Sequence, residues 1–296
     1  MMQSATAARI AKSSDDRPLV GGMAPARDDR ALLMSALNVT PDSFSDGGHF
    51  FDPDAAITRA CDMIAEGADI LDIGGESTRP GSAEVSAEEE LARLRPVLDA
   101  VIPECTVPVS IDTYKGATAD AALKAGAAIV NDVWGFTRDP SIIKVTAEHG
   151  AAGIIGHWEP DLVEEPDDNI IPRMKAFFSA QVDKSLAAGI AEDRITLDPG
   201  IGFGKTPAQN LVILHRLGEI CALGFPVLVG ASRKRFIGEI TGRPPLERLA
   251  GTISAHLMAI ANGAAAIRAH DVTAHHDAMR VMHAIRSQTM PAADQG

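Results

Sequence analysis

The chain has 296 residues and 46% hydrophobic content, enough for a large core, and a formal net charge of −13. Such an acidic surface repels nucleic-acid backbones and anionic membranes, so any anionic ligand has to be met by a local cluster of bases. Three widely spaced cysteines (Cys61, Cys105, Cys221) form neither a disulfide framework nor a zinc site, and no apolar run is long enough to cross a bilayer. These features exclude nucleic-acid and membrane partners and lead us to expect a cytoplasmic protein.

Residues 1–30 lack the apolar core of a signal peptide. Asp15, Asp16, Asp28 and Asp29 argue against a transit peptide, so a largely disordered extension is expected, with one strand near Pro18–Val20. From residue 31 onward, short β-branched runs alternate with amphipathic segments. The predicted strands are Ala31–Asn38, Ala68–Glu76, Val107–Thr113, Ala127–Val133, Ala151–Trp158, Arg194–Gly200, Pro226–Ser232 and Ala264–Asp271. Between them, helices are predicted near 53–67, 86–101, 116–126, 139–149, 172–189, 207–222, 245–263 and 274–287. Strands this continuously apolar are buried on both faces, and eight β-then-α units close into a single (β/α)8 TIM barrel over 31–290.

Chemistry in such a barrel sits where strands end and βα loops begin. Every predicted strand ends in polar or glycine-rich residues: Asn38-Val-Thr, Asp72-Ile-Gly-Gly-Glu76, Ser110-Ile-Asp112-Thr, Asn131-Asp132, Gly156-His-Trp158, Asp198-Pro-Gly, Ser232-Arg-Lys234 and Arg268-Ala-His270-Asp271. Solubility alone is the plainer explanation, but it does not require all eight ends to share the feature. The glycine-rich run Asp198–Thr206 fails the spacing of a phosphate loop, although its glycines let backbone approach a flat ligand. His275-His276 at a helix start reads as a surface pair.

Asp112 and Asp198 face into the barrel if Ser110 and Thr196 do. Two inward carboxylates either form structural ion pairs or grip an amidine-like edge through paired hydrogen bonds, with Asn131 adding a donor and an acceptor. Arg268 and His270 share one side of the last strand. Together with Ser232-Arg233-Lys234-Arg235 they form a basic cluster suited to phosphate or pyrophosphate. The loops Pro41–Asp52 and Ser77–Ser86 are candidate lids at the same mouth.

Seven segments in order, Leu37–Gly48, Asp72–Gly81, Ser110–Lys115, Asn131-Asp132, Asp198–Lys205, Gly230–Gly238 and Arg268–Val272, resemble the dihydropteroate synthases within the pterin-binding barrel family. The resemblance spans the barrel from residue 31 to about 285. It implies condensation of (7,8-dihydropterin-6-yl)methyl diphosphate with 4-aminobenzoate to give 7,8-dihydropteroate and pyrophosphate. By the same resemblance, Asp112, Asn131, Asp198 and Lys234 bind the pterin. The diphosphate falls to Asn38, Arg79, Arg268 and His270, with Mg2+ held by Asn38. The aminobenzoate lies among Phe44, Thr78, Pro80, Phe203 and Lys234, its carboxylate meeting backbone N–H groups at the start of a helix near Arg235, where sulfonamides would compete. Asp112, Lys234 and Arg79 are the expected catalytic residues, and the helices near 245–287 the expected homodimer face.

One position departs from the family pattern, which has Met-His-Met or Met-His-Trp where this chain has Gly156-His157-Trp158. Loss of that methionine is expected to weaken pterin packing unless Trp158 or a neighbour fills the gap. Two competing readings are a non-catalytic pterin-binding paralogue and a methyltetrahydrofolate-dependent methyltransferase, the second lacking any use for a pyrophosphate pocket.

Overall fold

Alternation within each apolar run sorts its side chains into two sets, and both sets are buried. Leu32, Met34, Ile70, Ile129, Ala152, Ile154, Leu228 and Ala266 pack together in one cluster, while Leu33, Leu37, Leu71, Ile73, Ile111, Val130, Ile155 and Ile267 join a second, larger one. The first set fills the inside of a barrel and the second lies beneath its helices, as parallel strands covered on both faces require.

The computed structural model describes residues 30–40, 53–77 and 83–290. Its strands are β1 (Leu32–Asn38), β2 (Ile70–Gly74), β3 (Val109–Asp112), β4 (Ile129–Asp132), β5 (Ala152–Gly156), β6 (Ile195–Asp198), β7 (Leu228–Val229) and β8 (Ala266–Ala269). All pairs are parallel, in the order β6-β5-β4-β3-β2-β1-β8-β7. A parallel bridge between Leu197 and Val227 joins β6 to the approach of β7, bringing the two ends of the sheet together. The expected (β/α)8 barrel is the observed fold. The reading of residues 1–29, including the strand near Pro18–Val20, lies outside the described residues.

The helices are α1 (Pro53–Ala65), α2 (Ala87–Val101), α3 (Gly116–Ala125), α4 (Ser141–Glu148), α5 (Ile170–Ala188), α6 (Pro207–His215), α7 (Leu217–Cys221), α8 (Arg235–Thr241), α9 (Leu249–Ala261) and α10 (Val272–Ser287). Local chemistry sets several of their starts. Ser86 accepts from the Glu89 N–H ahead of α2, and Thr206 with Gln209 closes a capping box ahead of α6, whose first residue is Pro207.

Two expectations need correction. The helix expected over 207–222 is interrupted at Arg216, which leaves helical geometry and pairs with Glu219. The strand expected over Pro226–Ser232 shrinks to two residues, and the chain then turns through Arg233 at φ 57 and enters α8, whose start near Arg235 only the resemblance implied. Side chains of α9 hold that turn, as described below, in place of a sheet ladder.

Candidate active site

Strand register places the inward polar residues in layers at the C-terminal mouth. Asn38 pairs with Gly74, Gly74 with Asp112 and Asp112 with Asn131, so four neighbouring strands contribute to one level. A side chain at Gly74 would crowd the Asp112 Cβ at 3.3 Å, so glycine there leaves Asp112 its room. Gly156 and Asp198 form the corresponding pair on β5 and β6.

Arg268 organises the floor of this mouth. Its Nε donates to Asp72 Oδ2 at 2.5 Å and its Nη2 to Asp112 Oδ2 at 2.8 Å, while Asn131 Nδ2 donates to the same Asp72 oxygen at 3.1 Å. Asp72 is fully buried, and its second oxygen, Oδ1, has no hydrogen-bond partner among the described residues. Burial and the neighbouring Asp72 push Asp112 up to about 7 against the pull of Arg268. Nothing among the described residues is hydrogen-bonded to Arg268 Nη1, which leaves that edge of the guanidinium to meet a ligand oxygen.

Asp198 lies across the mouth and interacts electrostatically with Arg268 and Lys234. One oxygen accepts from the Gly200 N–H at 2.7 Å, and burial raises its pKa. Lys234 Nζ stands 3.8 Å from the Phe203 ring centroid. Below this run, Lys205 Nζ donates to the carbonyls of His157, Gly200 and Phe203 at 2.8, 3.0 and 2.9 Å, which uses its three protons to brace the glycine-rich loop. Burial pulls its pKa down to about 7.

The missing methionine leaves no hole. A Cβ at Gly156 would lie 2.5 Å from Val133 Cα and 2.6 Å from the Asp132 carbonyl oxygen, so backbone of the β4–α4 turn occupies that space. Asp132 shapes the turn by accepting from the N–H groups of Trp134 and Phe136, both at 2.8 Å. The turn presents Trp134, which stacks on Trp158 at 3.9 Å and 10°, and Trp158 leans on Phe203 at 5.4 Å. Backbone therefore fills the start of the methionine's path, and the same turn carries one ring of the Trp134–Trp158 stack.

At the basic side, His270 Nδ1 and Ser232 Oγ are 2.9 Å apart, and the His270 N–H also donates to that hydroxyl. The Arg233 guanidinium binds Asp271 at 2.5 and 3.1 Å. Arg235 behaves differently: its side chain is 87% exposed and pairs with Glu239, while its backbone opens α8. Phe44, Thr78, Arg79 and Pro80 lie outside the described residues.

Sequence reasoning passed over Asp72, although the period that turns Ile70 and Gly74 inward also turns Asp72 inward. It also misjudged His275, which is buried and bonded to His256 at 3.0 Å, while only its neighbour His276 retains partial exposure.

A mouth with this layered set of acids and bases defines a (β/α)8 enzyme built to hold a flat polar heterocycle. The model of the family "pterin binding enzyme" matches residues 34–270, and the chain belongs to that family. It is 46% identical over 244 residues to the dihydropteroate synthase of Bacillus subtilis, covering 82% of this chain and 85% of that one. The crystal structure of Xanthomonas albilineans dihydropteroate synthase with 4-aminobenzoic acid superposes with a TM-score of 0.83 at 42% identity, over 89% of this chain and 95% of the other. The same enzyme in complex with 7,8-dihydropteroate gives 0.80 at 40% identity, over 89% and 96% of the two chains.

Proposed function

We propose that this protein is a catalytically active dihydropteroate synthase, which condenses (7,8-dihydropterin-6-yl)methyl diphosphate with 4-aminobenzoate and releases pyrophosphate. The observation that carries the proposal is the Arg268 guanidinium held by Asp72 and Asp112 beside the Ser232–His270 pair. Acids for a pterin and bases for a diphosphate thus share one mouth. A methyl transferase has no use for the basic half, and a non-catalytic paralogue has no need to retain it.

In this reading Asp198 and Asn131 accept from and donate to the guanidine-like edge of the pterin, and Lys234 hydrogen-bonds its ring carbonyl and nitrogen. The unpartnered Asp72 Oδ1 is a further buried acceptor for a ring N–H. As the carbon–oxygen bond to the diphosphate breaks, positive charge develops on the pterin methylene and ring, and the Asp112 carboxylate stabilises it. The aminobenzoate amine attacks that carbon directly, so no enzyme nucleophile is required. Arg268 Nη1, His270 and Arg79 meet the departing diphosphate oxygens. The aromatic wall of Trp134, Trp158 and Phe203 excludes water from the cation and faces the aminobenzoate with Phe44, Thr78 and Pro80, while the backbone at Arg235 meets its carboxylate. Sulfonamides, as aminobenzoate mimics, compete there.

Among the described residues, no three His, Cys, Asp or Glu side chains gather to hold a metal ion. Mg2+ needs no such cage, because it is commonly bound by one or two protein oxygens plus substrate phosphates and water. The amide oxygen of Asn38, at the level of Asp112, fits that demand. With the diphosphate it would hold Mg2+, which supplies charge neutralisation for the leaving group.

The test is pyrophosphate release from the pterin diphosphate with and without aminobenzoate and Mg2+. Release dependent on aminobenzoate supports the synthase; a folded protein that binds pterin and releases none refutes it. The exposed apolar residues Ile240, Leu249, Met258, Val281 and Ile285 on α8, α9 and α10 support a homodimer face. Ile285→Glu is expected to shift sedimentation from dimer to monomer. Identical sedimentation of variant and parent would place the contact elsewhere. The free cysteines Cys61, Cys105 and Cys221 support a cytoplasmic site of action.

A further inference from the structure

Behind the basic side of the mouth lies a buried pair of imidazoles that the mechanism above does not use. His256 on α9 and His275 on α10 are both at most 1% exposed, with His256 Nδ1 and His275 Nε2 3.0 Å apart. The remaining nitrogens reach two different loops. The Ala231 N–H donates to His256 Nε2 at 2.9 Å, and His275 Nδ1 meets the Asp271 carbonyl oxygen at 2.6 Å.

The two ends of this chain of bonds fix every proton within it. A backbone N–H can only donate, so His256 Nε2 is bare and Nδ1 carries the ring proton. That proton is donated to His275 Nε2, so His275 carries its own proton on Nδ1 and gives it to a carbonyl that can only accept. Both rings are therefore neutral and held in one tautomer, a state that their burial also favours.

The circuit closes at the surface. Asp271, at the end of the relay, binds the Arg233 guanidinium, and Arg233 lies two residues after Ala231, where the relay starts. Thr252 on α9 and Arg248, the residue that precedes its first turn, grip the same loop at four-residue steps from His256. Thr252 Oγ accepts from the Arg233 N–H at 3.0 Å, and Arg248 Nη1 donates to the carbonyls of Arg233 and Lys234 at 3.0 and 3.3 Å. Arg233 sits at φ 57, a conformation that a non-glycine residue keeps only when its surroundings enforce it. Ser232 and His270, which face each other at 2.9 Å, lie on the two loops that this circuit ties together.

We infer that His256 and His275 are positioning residues for the diphosphate side of the site: they set the distance between the Ala231–Lys234 loop and the His270–Asp271 loop, and thereby the geometry in which Ser232, His270 and Arg268 meet a diphosphate. The inference rests on the assignment of that rim to the diphosphate. It predicts a larger effect on anion binding than on pterin binding, which a general loss of stability would not reproduce, because Asp72, Asp112, Asn131 and Asp198 stand on other strands and, of the pterin contacts, Lys234 alone lies on the tied loop.

The experiment compares the affinities of the full-length protein and its variants for inorganic pyrophosphate and for 7,8-dihydropteroate, which lacks the diphosphate. His256→Leu removes the acceptor for Ala231 and is expected to weaken pyrophosphate binding roughly tenfold, with dihydropteroate, which touches that loop through Lys234 and the Arg235 backbone, weakened only about two- to threefold. His256→Gln restores an acceptor and is expected to recover most of the loss. A folded Leu variant that binds pyrophosphate like the parent, or that loses both ligands equally, overturns the inference. Failure of the parent itself to bind pyrophosphate while binding dihydropteroate overturns the diphosphate assignment and this inference with it. If the Leu variant does not fold, histidine nitrogen NMR of the parent decides. Two Nδ1–H tautomers whose resonances move on addition of pyrophosphate support the relay, and tautomers of the other kind, or resonances that stay fixed, refute it.

Discussion

Asp112 shows how one side chain trades stability for chemistry. Its pKa is raised from the ordinary 3.8 to about 7, chiefly by burial, so in that pH window the folded protein binds more protons at this site than the unfolded chain. The contribution of Asp112 to stability therefore falls as pH rises from about 4 to about 7. Turnover that depends on its carboxylate rises through the upper part of the same window. Asp112→Asn separates the two effects: the amide oxygen can still accept from Arg268, while the charge is gone. The variant is expected to unfold no more readily than the parent at pH 8, to bind dihydropteroate within a few-fold, and to lose about 10²–10³ in kcat. Equal losses in product binding and in kcat would show instead that Asp112 acts on the bound ground state.

At the scale of elements, the β4–α4 turn and the end of β5 act as one unit. Gly156 is required because Val133 Cα occupies the place of its Cβ, and the turn that causes this crowding also delivers Trp134 to Trp158. Restoring a methionine, as Gly156→Met, is expected to cost about 3 kcal/mol of unfolding stability through overpacking. It should also diminish the near-ultraviolet circular dichroism of the stacked tryptophans, which are the only two in the chain. Parental stability in denaturant would mean that the turn yields more readily than its contacts suggest.

The same elements explain what could be read from the sequence. All eight strands were legible because each is an apolar run between polar ends, and Asp112, Asn131, Asp198 and Arg268 were legible because alternation sends them inward. Asp72 follows the same rule, two residues before Gly74, but it lies below the strand end where site residues are sought. The α8 helix was legible only through the resemblance, which implied a helix start near Arg235, because so short a helix carries little periodicity; His256 was not legible, since a lone histidine on an apolar helix gives no sign of its partner. His275 reads as exposed beside His276 until α9 is packed against α10, a tertiary fact that local pattern does not contain.

At the scale of the whole molecule, a body with a formal charge of −13 has to admit a substrate carrying a diphosphate and another carrying a carboxylate. The two effects act over different ranges. Repulsion comes from charges spread over the whole surface, whereas attraction comes from Arg233, Lys234, Arg268 and His270 around one opening. The screening length is ~30 Å at 0.01 M ionic strength and ~8 Å at 0.15 M. At low salt an approaching diphosphate therefore feels the entire acidic body; at physiological salt it feels chiefly the groups next to the mouth. Salt should thus remove more repulsion than attraction. kcat/KM for the pterin diphosphate is expected to rise about twofold or more between 0.01 and 0.15 M KCl, with KM falling and kcat nearly constant, in steady-state assays at fixed Mg2+ and saturating aminobenzoate. A monotonic fall over that range would mean that the basic rim governs approach from a distance as well as at contact, and that the acidic surface plays no part in substrate capture.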